Sequence, residues 1–111
     1  MVKLTIAVKK KADISVEDFH DYWRTTHAEL IKGLGISRYI RKYVQCHTAA
    51  EEYAAGEPAY DGTAEVWFDS AADKEKFLAD PEFAEKVVPD NLKFADMEKT
   101  VFFLTREEAV I

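Results

Sequence analysis

The stretch 15–31 has the spacing of an amphipathic helix and constrains the fold more than any other part of the chain. At about 100° per residue, its large apolar side chains and both of its histidines fall within an arc of roughly 120°, the width of a buried stripe. Ser15 can cap this helix, and Gly33 and Gly35 can end it. The stripe consists of Val16, Phe19, His20, Trp23, His27, Leu30 and Ile31.

His27 lies at the centre of this stripe, one turn beyond Trp23. A buried imidazole must be hydrogen-bonded or must face a cavity. His27 is therefore either a satisfied core histidine or a reactive group, because histidine titrates near neutral pH. His20 lies nearer the edge of the stripe, with Glu17 and Arg24 within one turn of it, and we interpret it as a boundary residue.

The rest of the chain alternates between strand-like and helix-like patterns. The segment 48–61 is rich in Ala and Glu and predicts a long excursion with one helical turn near 51–55. Ser70 is a suitable cap for the second helix, which Asp80-Pro81 interrupts. Period-two alternation and apolar runs predict strands at 2–9, 36–47, 62–68 and 97–105, and helical patterns predict helices at 71–78 and 82–88.

This order of elements, βαββαβ, is that of an α+β, ferredoxin-like domain with a four-stranded antiparallel sheet, and residues 1–111 form one such domain. Two helices cover only one face of the sheet. The runs 66–68 and 101–104 nevertheless place apolar groups on both faces. The uncovered face therefore predicts a homodimer joined through its sheets.

Composition excludes several kinds of partner. The net charge of −6 and the lack of a long basic run argue against nucleic acid. No apolar run approaches the roughly 20 residues of a membrane span. Cys46 is the only cysteine, so no intrachain disulfide forms and a reducing compartment fits. The N-terminus enters a strand without a signal-peptide core, and we expect a cytoplasmic protein.

The polar residues among the aromatics point to acid/base chemistry in an apolar pocket. His20 and His27 are about 10 Å apart along a helix, too far for one metal ion, and phosphate-loop, nucleophile-elbow and dinucleotide motifs are absent. Tyr43 and His47 share one face of the second strand, about 13 Å apart, and can contact opposite ends of one small ligand. Glu65 can orient a histidine, act itself, or pair with a cation on a neighbouring strand, namely Arg38, Arg41 or Lys42.

Part of the first helix resembles a known family signature. Phe19, Tyr22-Trp23, His27-Ala28 and Leu30 match the F-x-x-Y-W-x-x-x-H-A-x-L pattern of the EthD family, whose members are dimeric α/β barrels of ferredoxin-like subunits. The resemblance extends through 38–39, 43–47, 61–70 and 105–111. It implies a general-base role for His27, substrate-positioning or proton-donating roles for Tyr43 and His47, and an acidic site residue in Glu65. As substrate-contacting aromatics we expect Phe19, Trp23, Tyr39 and Trp67.

The leading functional hypothesis is a cofactor-independent lyase or isomerase acting on a small apolar carbonyl or aromatic, polyketide-like compound. EthD-like proteins include polyketide dehydratases and decarboxylases, and muconolactone-type isomerases fold similarly, so dehydration, isomerisation, cyclisation and decarboxylation all remain open. Two alternatives are a non-catalytic small-molecule-binding or accessory protein of a degradation pathway, and a haem- or oxygen-dependent monooxygenase.

Overall fold

A four-stranded antiparallel sheet forms the centre of the molecule. The computed structural model describes every residue from Met1 to Ile111. The strands are β1 (Val2–Val8), β2 (Ile40–His47), β3 (Gly62–Phe68) and β4 (Val101–Thr105), in the spatial order β2-β3-β1-β4. This order and the helices between the strands confirm the predicted α+β, ferredoxin-like architecture.

The first long helix is continuous from 16 to 33 but changes its pitch in the middle. It consists of Val16–Tyr22, a wider π-helical turn Trp23–His27, and Ala28–Gly33. The Ser15 hydroxyl accepts a hydrogen bond from the Asp18 backbone N–H at 3.0 Å, which confirms the predicted cap. π-Helical turns often occur at functional sites, and this one contains His27.

The second helical region runs from Ala71–Ala79 through Phe83–Val87 to Val88–Asn91. Ser70 caps it as predicted, because its hydroxyl accepts from the Asp73 N–H at 3.2 Å. The sequence predicts the end of this helix at Val88, whereas the helix ends at Asn91, three residues later. The helix continues through Pro89, which lies directly after the π-helical turn Phe83–Val87.

Two strand boundaries differ from the prediction. Residues Gly35–Tyr39 form a 3-10 helix, so β2 begins at Ile40 and not at residue 36. The Ser37 hydroxyl stabilises this turn by donating to the Leu34 carbonyl at 2.7 Å. The segment 97–100 precedes β4 as a turn, in which the Thr100 hydroxyl donates to the Asp96 carbonyl at 2.8 Å. At the starts of β2 and β4, hydrogen bonds from side chains to the nearby backbone therefore replace the predicted strand pairing.

A bulge between Ile40 and Lys42 changes which side chains of β2 share a face. Strict alternation predicts Ile40 on the same face as Lys42, whereas the extra residue returns Ile40 to the face that carries Tyr43. Downstream of the bulge, the predicted grouping of Tyr43, Gln45 and His47 is confirmed. These three side chains face the helices, because their β3 partners Val66, Ala64 and Gly62 belong to that face.

The two faces of the sheet differ in what covers them. On β4, Phe102 pairs with Ile6 and faces the helices, whereas Phe103 pairs with Thr5 and faces away from them. We call this second side the open face. Its large apolar members are Val44, Trp67, Val101 and Phe103. The short helix Ala50–Ala54 lies in the 48–61 excursion, as predicted. No helix of the chain combines the length and apolarity needed to cross a bilayer.

Gly62 is the one glycine at which close packing forbids a side chain. A Cβ at this position would lie 2.3 Å from the Cys46 carbonyl oxygen and 2.7 Å from the Trp23 ring. Trp23 is only 1% exposed. The bare backbone of Gly62 therefore allows the Trp23 indole to lie against β3.

Replacing Gly62 with alanine should lower the free energy of unfolding by about 1–3 kcal/mol, because overpacking forces the backbone or the indole to move. Urea denaturation followed by tryptophan fluorescence measures this change. Gly33→Ala is the matched control, since a Cβ there meets nothing within 4 Å. Equal stability of the two variants would contradict the packing argument.

Candidate functional site

A cavity of about 60 Å³ lies between the helices and the sheet, and 17 of its 20 lining residues are hydrophobic. The polar residues at its wall are His27, Asn91 and Thr100, and Tyr43 also lines it. The Thr100 hydroxyl is already engaged, since it donates to the Asp96 carbonyl and accepts from the Lys9 N–H. His27, Tyr43 and Asn91 therefore remain to contact a ligand.

His27 is held by a buried carboxylate from the end of the second helical region. Its Nδ1 lies 2.7 Å from Asp90 Oδ2, and both side chains are 7% exposed. The Tyr22 hydroxyl donates to the other oxygen of Asp90 at 2.5 Å. Lys93 Nζ lies 3.9 Å from that same oxygen. Asp90 thus has a partner at each oxygen, as a buried carboxylate requires.

This contact fixes the tautomer of His27. A carboxylate only accepts hydrogen bonds, so the proton of the neutral imidazole resides on Nδ1 and the lone pair on Nε2. Nε2 makes no hydrogen bond within the protein, and His27 lines the cavity. Burial lowers the pKa of His27, and the bond to Asp90 and its charge oppose that effect only in part. The imidazole is consequently neutral at pH 7 and able to accept a proton.

Two tyrosines near the cavity stay protonated. Burial and the bond to Asp90 raise the pKa of Tyr22 to about 12, so it remains a donor to that carboxylate. Burial also raises the pKa of Tyr43. The oxygen of Tyr43 accepts from Gln45 Nε2 at 3.0 Å, and this leaves the hydroxyl proton of Tyr43 free for another acceptor.

The structure brings only some of the predicted site residues to the cavity. Trp23, His27 and Tyr43 line it. Phe19 is fully buried behind it, with its ring centroid 5.5 Å from that of Trp23. His47 lies outside the lining, its ring 4.4 Å from that of Trp23. Tyr39, at the end of the 3-10 helix, packs beneath a guanidinium and also lies outside the lining.

Glu65 and Trp67 lie on the open face, on the opposite side of the sheet from His27. Glu65 forms an ion pair with Lys3 at 3.0 Å, and Cys46 Sγ donates to it at 3.1 Å. These two contacts lower its pKa. Of the roles considered for Glu65, the structure shows the ion pair with a cation of a neighbouring strand, although that cation is Lys3 and not Arg38, Arg41 or Lys42. Glu65 does not contact His27. Trp67 lies between Lys3 and Lys42, with its ring centroid 4.7 Å from Lys42 Nζ.

Sequence reasoning missed the partners of His27. Tyr22 belongs to the family signature, but no role was predicted for it. Asp90 lies 63 residues from His27 in the chain, beyond the predicted end of its helix at Val88. Asn91, which follows Asp90, was missed for the same reason. His20 was interpreted as a boundary residue, yet it is 7% exposed and bonded on both ring nitrogens. The local pattern of apolar and polar residues does not indicate contacts between residues so far apart in the chain.

The family model of the EthD domain matches residues 11–98. The chain belongs to the EthD family. The domain match thus confirms the resemblance first seen in the helix that carries His27.

Several relatives of this EthD chain are named for the reactions they catalyse. Dehydratase aurZ of Gibberella zeae is 31% identical over 110 residues, which cover 90% of this chain and 72% of that protein. Dehydratase CTB10 of Cercospora beticola is 32% identical over 112 residues, with coverages of 91% and 85%. Decarboxylase nsrE of Aspergillus novofumigatus is 29% identical over 108 residues, with coverages of 88% and 72%. The family therefore includes dehydratases and decarboxylases.

Solved structures confirm the fold. An EthD family protein from Bacillus halodurans superimposes with a TM-score of 0.71 at 18% identity, covering 97% of this chain and 99% of that one. A dimeric protein with a ferredoxin-like fold from Bacteroides fragilis gives a TM-score of 0.68 at 19% identity, with coverages of 96% and 95%.

Proposed function

We propose that this EthD protein is a cofactor-independent lyase whose base, His27, removes a proton from the carbon next to a carbonyl group of a small, mostly apolar substrate. The observation that carries the proposal is the placement of His27, with Nδ1 on the buried Asp90 and Nε2 unbonded in an apolar cavity. A neutral imidazole oriented in this way is a general base, and its contribution is typically about 10²–10⁴-fold.

The reaction that fits these groups is dehydration of a β-hydroxy carbonyl compound. His27 Nε2 takes the α proton, and the electrons of that C–H bond form the new C=C bond. The bond between the β carbon and oxygen breaks, and the departing hydroxide takes the proton from the imidazolium to leave as water. Tyr43 donates a hydrogen bond to the carbonyl oxygen, where negative charge develops, and Asp90 stabilises the imidazolium.

Asn91 is the third free polar group at the cavity wall. Its side-chain amide makes no hydrogen bond within the protein, and it directly follows Asp90 in the chain. An amide can both donate and accept, so Asn91 is suited to bind a hydroxyl or a second carbonyl of the substrate. His27, Tyr43 and Asn91 would thus contact different parts of one ligand in an otherwise apolar space.

Decarboxylation is the second candidate, favoured by the likeness to Decarboxylase nsrE. In a β-keto acid the bond to the carboxylate breaks, carbon dioxide leaves, and the resulting enolate takes a proton. Tyr43 would stabilise the same developing oxyanion. His27 would take the proton of the bound acid's carboxyl group and return it to the enolate carbon. Dehydration comes first because three relatives above 30% identity are all named dehydratases.

The size of the cavity implies that substrate entry moves side chains. Its volume of about 60 Å³ is smaller than the roughly 150 Å³ at which an engineered core cavity accepts benzene. Phe102, on the edge strand β4, is 39% exposed and is the most exposed lining residue. We therefore place the entrance at Phe102.

Dehydration of a β-hydroxy-β-phenyl methyl ketone tests the proposal directly, because the product is a conjugated enone that is followed by absorbance. The purified protein should form the enone faster than buffer does. Carbon dioxide release from the corresponding β-keto acid tests the second candidate in parallel. No acceleration of either reaction would refute the proposed function.

We also propose that two copies of the chain associate through their open faces. Val44, Trp67, Val101 and Phe103 lie on that face, and a sheet face that exposes apolar groups tends to associate. Phe103 is 48% exposed in the single chain. Such a dimer would cover the open face without covering the helices.

Phe103→Asp should convert the dimer to a monomer of about 12.7 kDa that is less soluble than the parent, because the interface would bury a charge without a partner. Sedimentation equilibrium at micromolar concentration measures this shift. Leu92→Asp is the matched control, since Leu92 is 54% exposed but lies in the turn after the second helical region, outside the sheet. A parent protein that sediments as a stable monomer would contradict the prediction.

A further inference from the structure

A chain of hydrogen-bonded side chains connects the 48–61 excursion to the cavity wall, outside the contacts of His27. Tyr53 donates to Asp61 at 2.6 Å, and its oxygen lies 2.9 Å from His20 Nε2. The Nδ1 atoms of the two histidines are 2.7 Å apart, and His47 Nε2 lies 2.9 Å from Gln45 Oε1. In order, the members are Asp61, Tyr53, His20, His47, Gln45 and Tyr43.

The orientation of the Gln45 amide is fixed by a backbone carbonyl. The Trp23 carbonyl lies 2.9 Å from the Gln45 amide and can only accept, so the NH₂ group must face it. Gln45 Oε1 then faces His47 and accepts from its Nε2–H. Neutral His47 consequently has its lone pair on Nδ1, where it accepts from the Nδ1–H of His20. Each bond in this series determines the direction of the next.

At the other end, the same NH₂ group donates to the oxygen of Tyr43 at 3.0 Å. The proton of the Tyr43 hydroxyl is therefore not used by Gln45, and Tyr43 lines the cavity. With the amide reversed, Oε1 would accept that proton instead. A primary amide does not pass protons along at neutral pH, so the chain orients groups and does not conduct protons.

We propose that Gln45, oriented by the Trp23 carbonyl and bonded at its Oε1 to His47 and through it to His20, holds the Tyr43 hydroxyl as a hydrogen-bond donor to the carbonyl oxygen of the substrate. This inference rests on the proposed function, in which Tyr43 binds that oxygen. His20, His47 and Gln45 do not line the cavity, and they act only through Tyr43.

When every hydrogen bond of this series is formed, His20 carries one proton more than a neutral imidazole. Tyr53 gives its only proton to Asp61, so His20 must carry a proton on Nε2 to bond Tyr53. Its Nδ1 already carries one for His47. Besides these groups, His20 faces only Arg24 and Asp21, both on its own helix.

The orientation of Gln45 does not depend on that extra proton. Burial lowers the pKa of His20, and the charge of Asp61 opposes this effect. Burial and the neighbouring His20 lower the pKa of His47 to about 4. As the pH rises, His20 first loses the proton on Nε2, and only its hydrogen bond to Tyr53 is lost. His20 Nδ1–H and His47 Nε2–H remain, so Gln45 stays in place.

Nuclear magnetic resonance of the free protein tests this orientation without a substrate. Gln45 is the only glutamine, so its side-chain amide signals are identified by residue type. We expect the proton of His47 on Nε2, the retained proton of His20 on Nδ1, and amide protons on Gln45 that exchange at least about tenfold more slowly than exposed ones. His47→Phe should speed this exchange, because Gln45 Oε1 loses its donor and only the NH₂ contacts hold the amide, whereas Tyr60→Phe, in the 48–61 excursion, should leave it unchanged. A proton on His47 Nδ1, or a freely rotating Gln45 amide, would overturn the proposal.

Enone formation from the β-hydroxy-β-phenyl methyl ketone tests the link to Tyr43. Tyr43→Phe and the isosteric Gln45→Glu should each lower kcat about 10–100-fold with a much smaller change in KM, because the bond strengthens as the oxyanion forms. The double variant should be no slower than the slower single variant, since both changes remove the same donor. Losses that multiply would refute the positioning role.

Different results would refute the proposed function and the positioning role of Gln45. Full activity of the His27 variants would refute the proposed function and leave the amide orientation, read in the free protein, unaffected. Full activity of Gln45→Glu beside an impaired Tyr43→Phe would refute the positioning role of Gln45 alone.

Discussion

Replacing His27 with glutamine should lower enone formation from the β-hydroxy-β-phenyl methyl ketone by at least about a hundredfold while the protein stays folded. Glutamine cannot accept the substrate proton, so catalysis loses its base. Its amide can still donate to Asp90, so the buried carboxylate keeps a partner. His27→Ala is a less clean test, because it leaves Asp90 with Tyr22 and the distant Lys93 and is expected to destabilise the fold by about 1–3 kcal/mol.

Stability and pH dependence separate a catalytic His27 from a core histidine. Urea denaturation should give His27→Gln a free energy of unfolding close to that of the parent. In the parent, kcat/KM should fall on the acid side as the imidazole takes up a proton. Because burial lowers the pKa of His27, the midpoint of this fall should lie below pH 6.5, the ordinary value. Undiminished turnover, or a variant that fails to fold, would contradict the assignment of His27 as the base.

The sequence was sufficient to predict the groups whose placement depends on local periodicity. Trp23 and His27 follow from the stripe on the first helix, and their burial needs only a sheet beneath it. Tyr43 follows from alternation along β2, although the bulge after Ile40 shows how easily that inference fails. Because the bulge inserts one residue, a side chain upstream of it lies on the face opposite to the one that strict alternation predicts.

The sequence was insufficient wherever two distant elements had to be placed in register. Glu65 and Asp90 are both carboxylates in partly apolar surroundings, and periodicity gives neither of them a partner. The alternation of β3 places Glu65 beside Lys3 on the open face. Asp90 reaches His27 because the second helical region continues past Pro89. The choice between the two carboxylates is thus made by tertiary packing and not by local pattern.

Asp90→Asn should reduce turnover about 10²–10⁴-fold, although it changes only one charge and hardly alters the shape of the side chain. In a Ser-His-Asp triad the same substitution costs about 10⁴-fold because the histidine adopts the wrong tautomer. Here asparagine offers a single acceptor to two donors, the Tyr22 hydroxyl and His27 Nδ1–H. If its oxygen serves Tyr22, its NH₂ faces His27. The imidazole must then carry its proton on Nε2, where it cannot act as a base.

Two further measurements distinguish this mechanism from a loss of packing. Without the negative charge of Asp90, the pKa of His27 should fall further, so the acid limb of the residual activity should move to lower pH. Tyr22→Phe is the matched control, because it removes one donor to Asp90 but leaves the carboxylate to hold His27 Nδ1–H. Its loss of turnover should stay below about tenfold, since a single neutral donor contributes about 0.5–1.5 kcal/mol. An Asp90→Asn variant with the turnover and pH profile of the parent would show that Asp90 does not orient His27.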